Sequence, residues 1–420
     1  MIYLDNAATS WPKPEIVYQT MDRFLREKGA NPGRSGHDMA VAAEKVVEHT
    51  RTSLARLLNA PDEKDIVFTL NCTESLNLAL KGLLRAGDHV VTDAIGHNSL
   101  VRPLHRLEQQ GVLVTRVPGS DGCGLVTGQD VEDAILPHTR LIAITHASNV
   151  TGVVQPVEQI GEVAQRRGIP FLIDAAQSAC VLPIDVEACR VDLLALSGHK
   201  GPLGPPGTGM LYISKRVEPE SLKEGGTGTV SESEEQPLDR PSRYESGTPN
   251  TVGIAGLGAG VGYVLETGVE TIRRHELALL DRLLAGLAAN AKVQVCGPPP
   301  ESDRVGVVSF RVKGWSPAEV GAVLDQAFDI KVRTGLHCAP AAHKVIGTYP
   351  EGAVRASIGH FNTSDDIDAF LDAVGRITAA QPAASLTNTA RGANGGALEP
   401  RQENGVPTPC QRSRTMSQRS

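Results

Sequence analysis

Three side chains stand out for the chemistry they could do together: Asp174, Lys200 and Cys338. The apolar run Phe171-Leu-Ile ends on Asp174, and the run Leu194-Ala-Leu ends on Ser197-Gly-His199-Lys200-Gly-Pro. Short apolar runs closed by turn residues read as buried parallel strands, and such sheets present their chemistry just past the strand ends. Both groups would then leave strand ends at one edge of a single sheet. Taken singly, an acid at such a place caps a helix and a lysine is a solvated loop residue. Taken together, a lysine amine can condense with an aldehyde while a buried carboxylate keeps a ring nitrogen protonated. Cys338 lies in Arg333-Thr-Gly-Leu-His337-Cys338-Ala-Pro. The reactive form of cysteine is the thiolate, and a neighbouring Arg or His lowers the thiol pKa. Cys338 has both nearby in sequence; the other cysteines do not have both and read as small core residues.

An amine and an acid facing one pocket suit pyridoxal 5'-phosphate (PLP). Its phosphate would need an anion cradle. The strand Asp65-Ile-Val-Phe-Thr69 runs straight into Asn71-Cys-Thr73-Glu74-Ser75-Leu-Asn77, where a helix begins. Small polar side chains and free N–H groups at a helix start make such a cradle, though the same residues also make a plain capping box. His97 opens a loop after the strand His89-Val-Val-Thr92; its planar ring titrates near neutrality, and a lone histidine there is otherwise a surface residue. Asn149 and Gln177 can hydrogen-bond a phenolic oxygen and a carboxylate, or serve as turn asparagine and helix-start glutamine. Arg355, in the strand pattern Ala353-Val-Arg-Ala-Ser, carries a fork that can grip a carboxylate, where a strand-edge charge is the plainer reading.

From Leu4 to about Asp372 the sequence resembles the cysteine desulfurases and selenocysteine lyases, PLP enzymes with the class V aminotransferase fold. The resemblance implies an α/β protein, a PLP-dependent transferase of fold type I: a mainly parallel seven-stranded sheet with a smaller α+β domain. It makes Lys200 the cofactor lysine and Asp174, Gln177, Thr73, Ser197 and His199 cofactor ligands, with His97 stacking over the ring and shuttling protons. Asn149 and Arg355 become substrate contacts, Arg34 stands at the mouth of the site, and Arg333 orients the loop of the nucleophile, Cys338. The segment Gly247-Thr248-Pro-Asn250 would place Thr248 on a partner's phosphate, hence a homodimer with shared sites. Three positions depart from the relatives: Cys72 stands for a threonine and reads as inert filler, Gly96 for an acid, and Leu336 for a histidine. The short cysteine loop resembles the group with a tight, ordered turn. The implied reaction takes sulfur from L-cysteine, leaving alanine and a persulfide on Cys338 for an acceptor protein or thiol. Selenocysteine lyase, a class V aminotransferase or epimerase, and a PLP-binding scaffold without turnover are the alternatives.

The elements that must position these groups follow from punctuation and periodicity. Strand and helix alternate from about residue 60 to 215, the signature of a doubly wound sheet. Helices are expected over Pro14–Lys28, Ala40–Leu58 and, as one long element, Thr251–Asn290. Further on come strands at Val293–Cys296, Val305–Val312 and Lys331–Arg333, and helices at Pro317–Phe328 and Ser364–Ile377. The implied organisation is an N-terminal segment 1–15, a large cofactor domain 16–250, linking helices 251–290, a small α+β domain 291–380 and a tail 381–420. Glu218–Gly247 is a polar excursion of the kind compact folds keep for function. The tail has no aromatic residue and few large aliphatics, so it cannot bury enough apolar surface to offset ordering entropy.

Bulk properties exclude several classes. The chain has 420 residues, 40% hydrophobic and 21% charged, an ordinary globular composition. A net charge of −7 gives no reason to expect nucleic acid or a membrane surface as partner. Seven irregularly spaced cysteines make no disulfide framework, and no metal is expected. The start lacks a signal-peptide pattern, and Thr251–Leu265 falls short of the roughly 20 residues that span a bilayer. The expected compartment is a reducing cytoplasm.

Overall fold

The computed structural model describes residues 1–380 apart from 34, 35, 120, 121 and 300. Arg34 and the tail 381–420 therefore lie outside the described residues.

The chain opens with β1 (Ile2–Tyr3) and then lays down β2 (Ile66–Thr69), β3 (His89–Asp93), β4 (Leu113–Val117), β5 (Thr139–Thr145), β6 (Phe171–Asp174), β7 (Leu193–Ser197) and β8 (Gly209–Ile213). These last seven form one sheet in the order β2-β8-β7-β6-β5-β3-β4. Only β8 is antiparallel to its neighbours; the rest run parallel, as the resemblance implies. Parallel pairing requires crossovers, which the helices Asn98–Glu108 and Val157–Arg167 help to supply. A parallel sheet is covered on both faces, so β3, β6, β7 and β8 are buried at every residue. Along β6, Phe171 and Ile173 enter one core cluster and Leu172 enters the other. Each such side chain contributes about 1.5–3 kcal/mol of burial. The result is a rigid platform whose strand ends carry the chemistry.

A second sheet comprises β9 (Val293–Cys296), β10 (Val307–Val312), β12 (Arg333–Gly335) and β13 (Ala353–Ser357), in the antiparallel order β12-β13-β10-β9. Helices Pro317–Phe328 and Ser364–Ala379 share its core, with Phe310 edge-on to Phe370 at 5.9 Å. The short β11 (Ile330–Lys331) pairs instead with β1, in parallel. The start of the chain is thereby stitched to this sheet, with Ser357 donating its N–H to the Leu4 carbonyl at 2.7 Å.

Three expectations need correction. The helix foreseen over Thr251–Asn290 is two helices, Thr251–Thr267 and Val269–Ala288, bent by 80°. The break is Gly268, whose φ of +86° ends the first helix in a conformation open to glycine. The strand foreseen over Lys331–Arg333 divides at Val332, its halves pairing with different partners. The strand foreseen from Val305 begins at Val307, because the Val305 N–H is taken by the carbonyl of Gly152 at 2.9 Å.

The excursion 218–247 contains no helix or strand and is tied down by side chains. Glu245 receives both arms of the Arg51 fork, at 2.8 and 3.0 Å, and the Phe68 N–H at 2.7 Å, so it also caps the edge strand β2. Among the described residues no single helix is long and apolar enough to cross a membrane.

Candidate active site

The parallel strands deliver their polar residues to one end of the large sheet, where a cavity of about 210 Å³ opens. Asp174 closes β6 and is buried. One carboxylate oxygen accepts from the Ala176 N–H at 3.0 Å and from the Cys72 thiol at 3.3 Å. Ser197 closes β7, and the turn after it carries Lys200 to the cavity wall. That turn is compressed: a Cβ on Gly201 would stand 2.0 Å from the Ala179 carbonyl oxygen, so a side chain there is excluded. Burial pushes the Lys200 amine below its ordinary range; Asp174 opposes the shift, and Arg355 and Arg333 add to it. An amine so placed is more readily neutral and nucleophilic.

The helix Cys72–Leu83 starts directly over this turn. Its Cys72 N–H donates to Ser197 Oγ at 3.2 Å, and the Glu74 N–H is capped by Asn71 at 2.9 Å. Thr73, between them, lines the cavity. An anion would find a donor and the positive end of a helix dipole here.

His97 caps the helix Asn98–Glu108, its Nδ1 accepting from the Ser99 N–H at 3.1 Å. Burial lowers its pKa to about 4, with Lys200, Arg333 and Arg355 adding to the shift and Asp174 opposing it. The ring is therefore neutral at physiological pH, with its proton on Nε2. His199, lowered to about 4 by burial and then by Lys200 and Lys13, is likewise neutral.

The opposite wall comes from β12 and β13, where Arg333 and Arg355 stand in register. Arg355 is 1% exposed; it donates to Asp5 Oδ1 at 2.6 Å and to the Asn149 carbonyl at 3.1 Å. Its Nε, like Nδ1 of His199, is buried without a partner among the described residues. Gln177 lines the cavity and donates to the Ala7 carbonyl at 2.9 Å.

Between these walls runs the turn of His337 and Cys338, with successive left-handed φ values of +50° and +57°. Asn149 Nδ2 donates to the His337 carbonyl at 2.7 Å, and the Asn98 N–H donates to the Cys338 carbonyl at 2.8 Å. The Cys338 thiol is exposed and accepts from the guanidinium of Arg333, itself part of the cavity wall, at 3.3 Å.

Asp174, Lys200, His97, Thr73, Ser197, His199, Gln177, Asn149, Arg333 and Arg355 are thus gathered around one cavity, with Cys338 at its rim. Thr248 is not among them; it is exposed and lines no part of this cavity. Arg34 lies outside the described residues. Two groups escape sequence reasoning. Cys72, read as filler, bonds the key carboxylate, a contact foreshadowed only by its place at a helix start. His337, expected only as a neighbour that lowers the Cys338 pKa, lines the cavity bonded to His343; lowered to about 3, chiefly by burial, it is neutral and supplies no such charge. The donor set suits a ligand with an anionic group, a basic ring nitrogen and an aldehyde.

The family model for class V aminotransferases matches residues 2–370. A protein of Methanothermobacter thermautotrophicus named "Probable cysteine desulfurase" is 38% identical over 372 residues, covering 87% of this chain and 92% of that protein. A Pyrococcus abyssi protein of the same name is 37% identical, covering 88% and 92%. In three dimensions, the apo structure of cysteine desulfurase from Thermococcus onnurineus NA1 superposes with a TM-score of 0.82 at 35% identity, covering 90% of this chain and 94% of that one. The chain accordingly belongs to the class V aminotransferase family, among its cysteine desulfurases.

Proposed function

We propose that this chain is a PLP-dependent cysteine desulfurase, a sulfurtransferase that takes sulfur from L-cysteine and leaves L-alanine and a persulfide on Cys338. The observation that carries this reading is the exposed Cys338 thiol, held by Arg333 at the rim of the cavity that Lys200 and Asp174 share. An aminotransferase or epimerase would have no use for a thiol so placed.

Lys200 would hold PLP, Asp174 would face its ring nitrogen, and His97 would cover the ring. Thr73, Ser197, His199 and Gln177 would supply the remaining polar contacts. When bound, PLP supplies an electron sink for the bonds at the substrate Cα and Cβ. The protein's own residues do the rest. Arg355 and Asn149 orient the substrate carboxylate, and the fork of Arg355 gives a geometry lysine cannot. The Lys200 amine takes the Cα proton and returns protons to the carbon fragment. Cys338, as thiolate, attacks the substrate sulfur: the carbon–sulfur bond breaks and a sulfur–sulfur bond forms. The electron pair of the broken bond stays with the carbon fragment, which takes up a proton and leaves as alanine.

The persulfide then passes to an acceptor protein or thiol. The exposed position of Cys338 at the rim supports this use, and a reducing cytoplasm is its setting. The active form is a homodimer. Ile16, Tyr18, Leu25 and Met39 form exposed apolar surface on the first two helices, and the exposed Thr248 is available to a partner's cofactor. Purified protein incubated with L-cysteine should release alanine. Cys338→Ser should abolish this while the PLP absorbance stays; undiminished alanine from that variant would end the reading.

A further inference from the structure

Behind the Cys338 turn lies a buried chain of hydrogen bonds that the reaction above does not use. His337 Nε2 meets the Arg333 carbonyl at 3.3 Å, and His337 Nδ1 meets His343 Nε2 at 3.1 Å. His343 Nδ1 meets Thr348 Oγ1 at 2.6 Å. His337 and Thr348 are 3% exposed and His343 is 0%.

The direction of every bond follows from its first member. A carbonyl only accepts, so His337 Nε2 carries the proton, and a neutral imidazole has one N–H. His337 Nδ1 must then accept, so His343 donates from Nε2 and itself accepts at Nδ1 from the Thr348 hydroxyl. Both rings are neutral at physiological pH. Burial lowers His337 to about 3, with Arg355 and His343 adding to the shift and the bond to the Arg333 carbonyl opposing it. Burial lowers His343 to about 4, with Arg311 adding to it.

The chain ends where the chemistry begins. The carbonyl it grips belongs to Arg333, whose guanidinium holds the Cys338 thiol. The turn between them places two successive non-glycine residues in the left-handed region, an uphill conformation that persists only when its surroundings enforce it.

We propose that His343 and Thr348 are positioning residues for Cys338: they hold His337 in one tautomer against the Arg333 carbonyl, and so keep the Arg333 guanidinium on the thiol. This deepens the desulfurase reading and rests on it for its purpose, yet the thiol can be interrogated directly.

The experiment follows alkylation of Cys338 by iodoacetamide in the full chain without substrate, resolved by peptide mass spectrometry across the thiol titration range. In His343→Leu the rate profile should lie below the parent's at neutral pH by about tenfold, as the guanidinium leaves the thiol. His343→Gln, whose amide N–H can replace Nε2–H, should restore most of the rate. Thr348→Val should shift the profile the same way by less, and it stands in should His343→Leu fail to fold. A folded His343→Leu or Thr348→Val with the parental profile overturns the proposal, even if its melting temperature has dropped, because the role would then be structural alone. Persistent desulfuration by Cys338→Ser would instead sink the functional reading and leave the alkylation result standing.

Discussion

The guanidinium of Arg333 donates a hydrogen bond to the thiol of Cys338 at 3.3 Å. Exposure sets Cys338 apart from every other described cysteine. Cys72, Cys123, Cys180, Cys189 and Cys296 are buried, and burial pushes the Cys189 thiol up to about 11. Limiting iodoacetamide should therefore modify Cys338 ahead of these five by at least about tenfold. Arg333→Gln should slow that modification at neutral pH. Equal labelling of a buried cysteine would show that the pocket opens in solution.

Lys200→Ala should lose the visible absorbance of a lysine-linked pyridoxal and about 10³-fold in alanine production, the scale of a lost acid–base group. A spectrophotometer checks the first and an amino-acid assay the second. An unchanged spectrum would move the cofactor attachment elsewhere.

Arg355→Lys keeps the charge and removes the fork. Because Arg355 also bonds Asp5 and the Asn149 carbonyl, some loss of melting temperature is expected. The diagnostic effect is on binding. KM for L-cysteine should rise about tenfold or more, the worth of a charge-assisted hydrogen bond at roughly 1.5–3 kcal/mol. A parental KM would remove Arg355 from the substrate site.

Glu276 gives the pH dependence a sign that the histidines do not share. Burial pushes its carboxyl from 4.5 up to about 8, Arg273 offsetting part of the shift. Between those values the native state holds more protons than the unfolded chain, so this group costs stability as pH rises through the window. His97, His146, His199 and His343 are each lowered from 6.5 to about 4, chiefly by burial. There the unfolded chain binds more protons, so stability is lost as pH falls from 6.5 towards 4. One proton is worth about 1.4 kcal/mol per pH unit across its window. The melting-temperature difference between Glu276→Gln and the parent should thus grow in the variant's favour from the acid to the alkaline side of the Glu276 window. A constant difference would contradict the buried-acid assignment.

The strand ends were legible in the sequence because buried parallel strands are short apolar runs, and Asp174 and Lys200 stand at their punctuation. The seven-stranded sheet followed from the resemblance and from regular alternation. What stayed hidden depends on contacts remote in sequence or on single backbone angles. No periodicity announces that β1 pairs with β11, since two-residue strands have none. The bend at Gly268 was masked because the residues on either side continue a helical pattern, and only the φ of +86° reveals the stop. Cys72 reaches Asp174, and His343 reaches His337, through the packing of separate elements and a folded turn, so neither bond could be read from residue type.

The central claim is that sulfur moves from substrate to Cys338. It is tested most directly by intact mass spectrometry of PLP-loaded protein after brief exposure to L-cysteine, with alanine measured in the same sample. The account predicts one added sulfur atom, mapped to the Cys338 peptide and removed by thiol reductant, together with an equivalent of alanine; Cys338→Ser should show neither. Alanine formed in full by Cys338→Ser, or sulfur carried on any other cysteine, would contradict it.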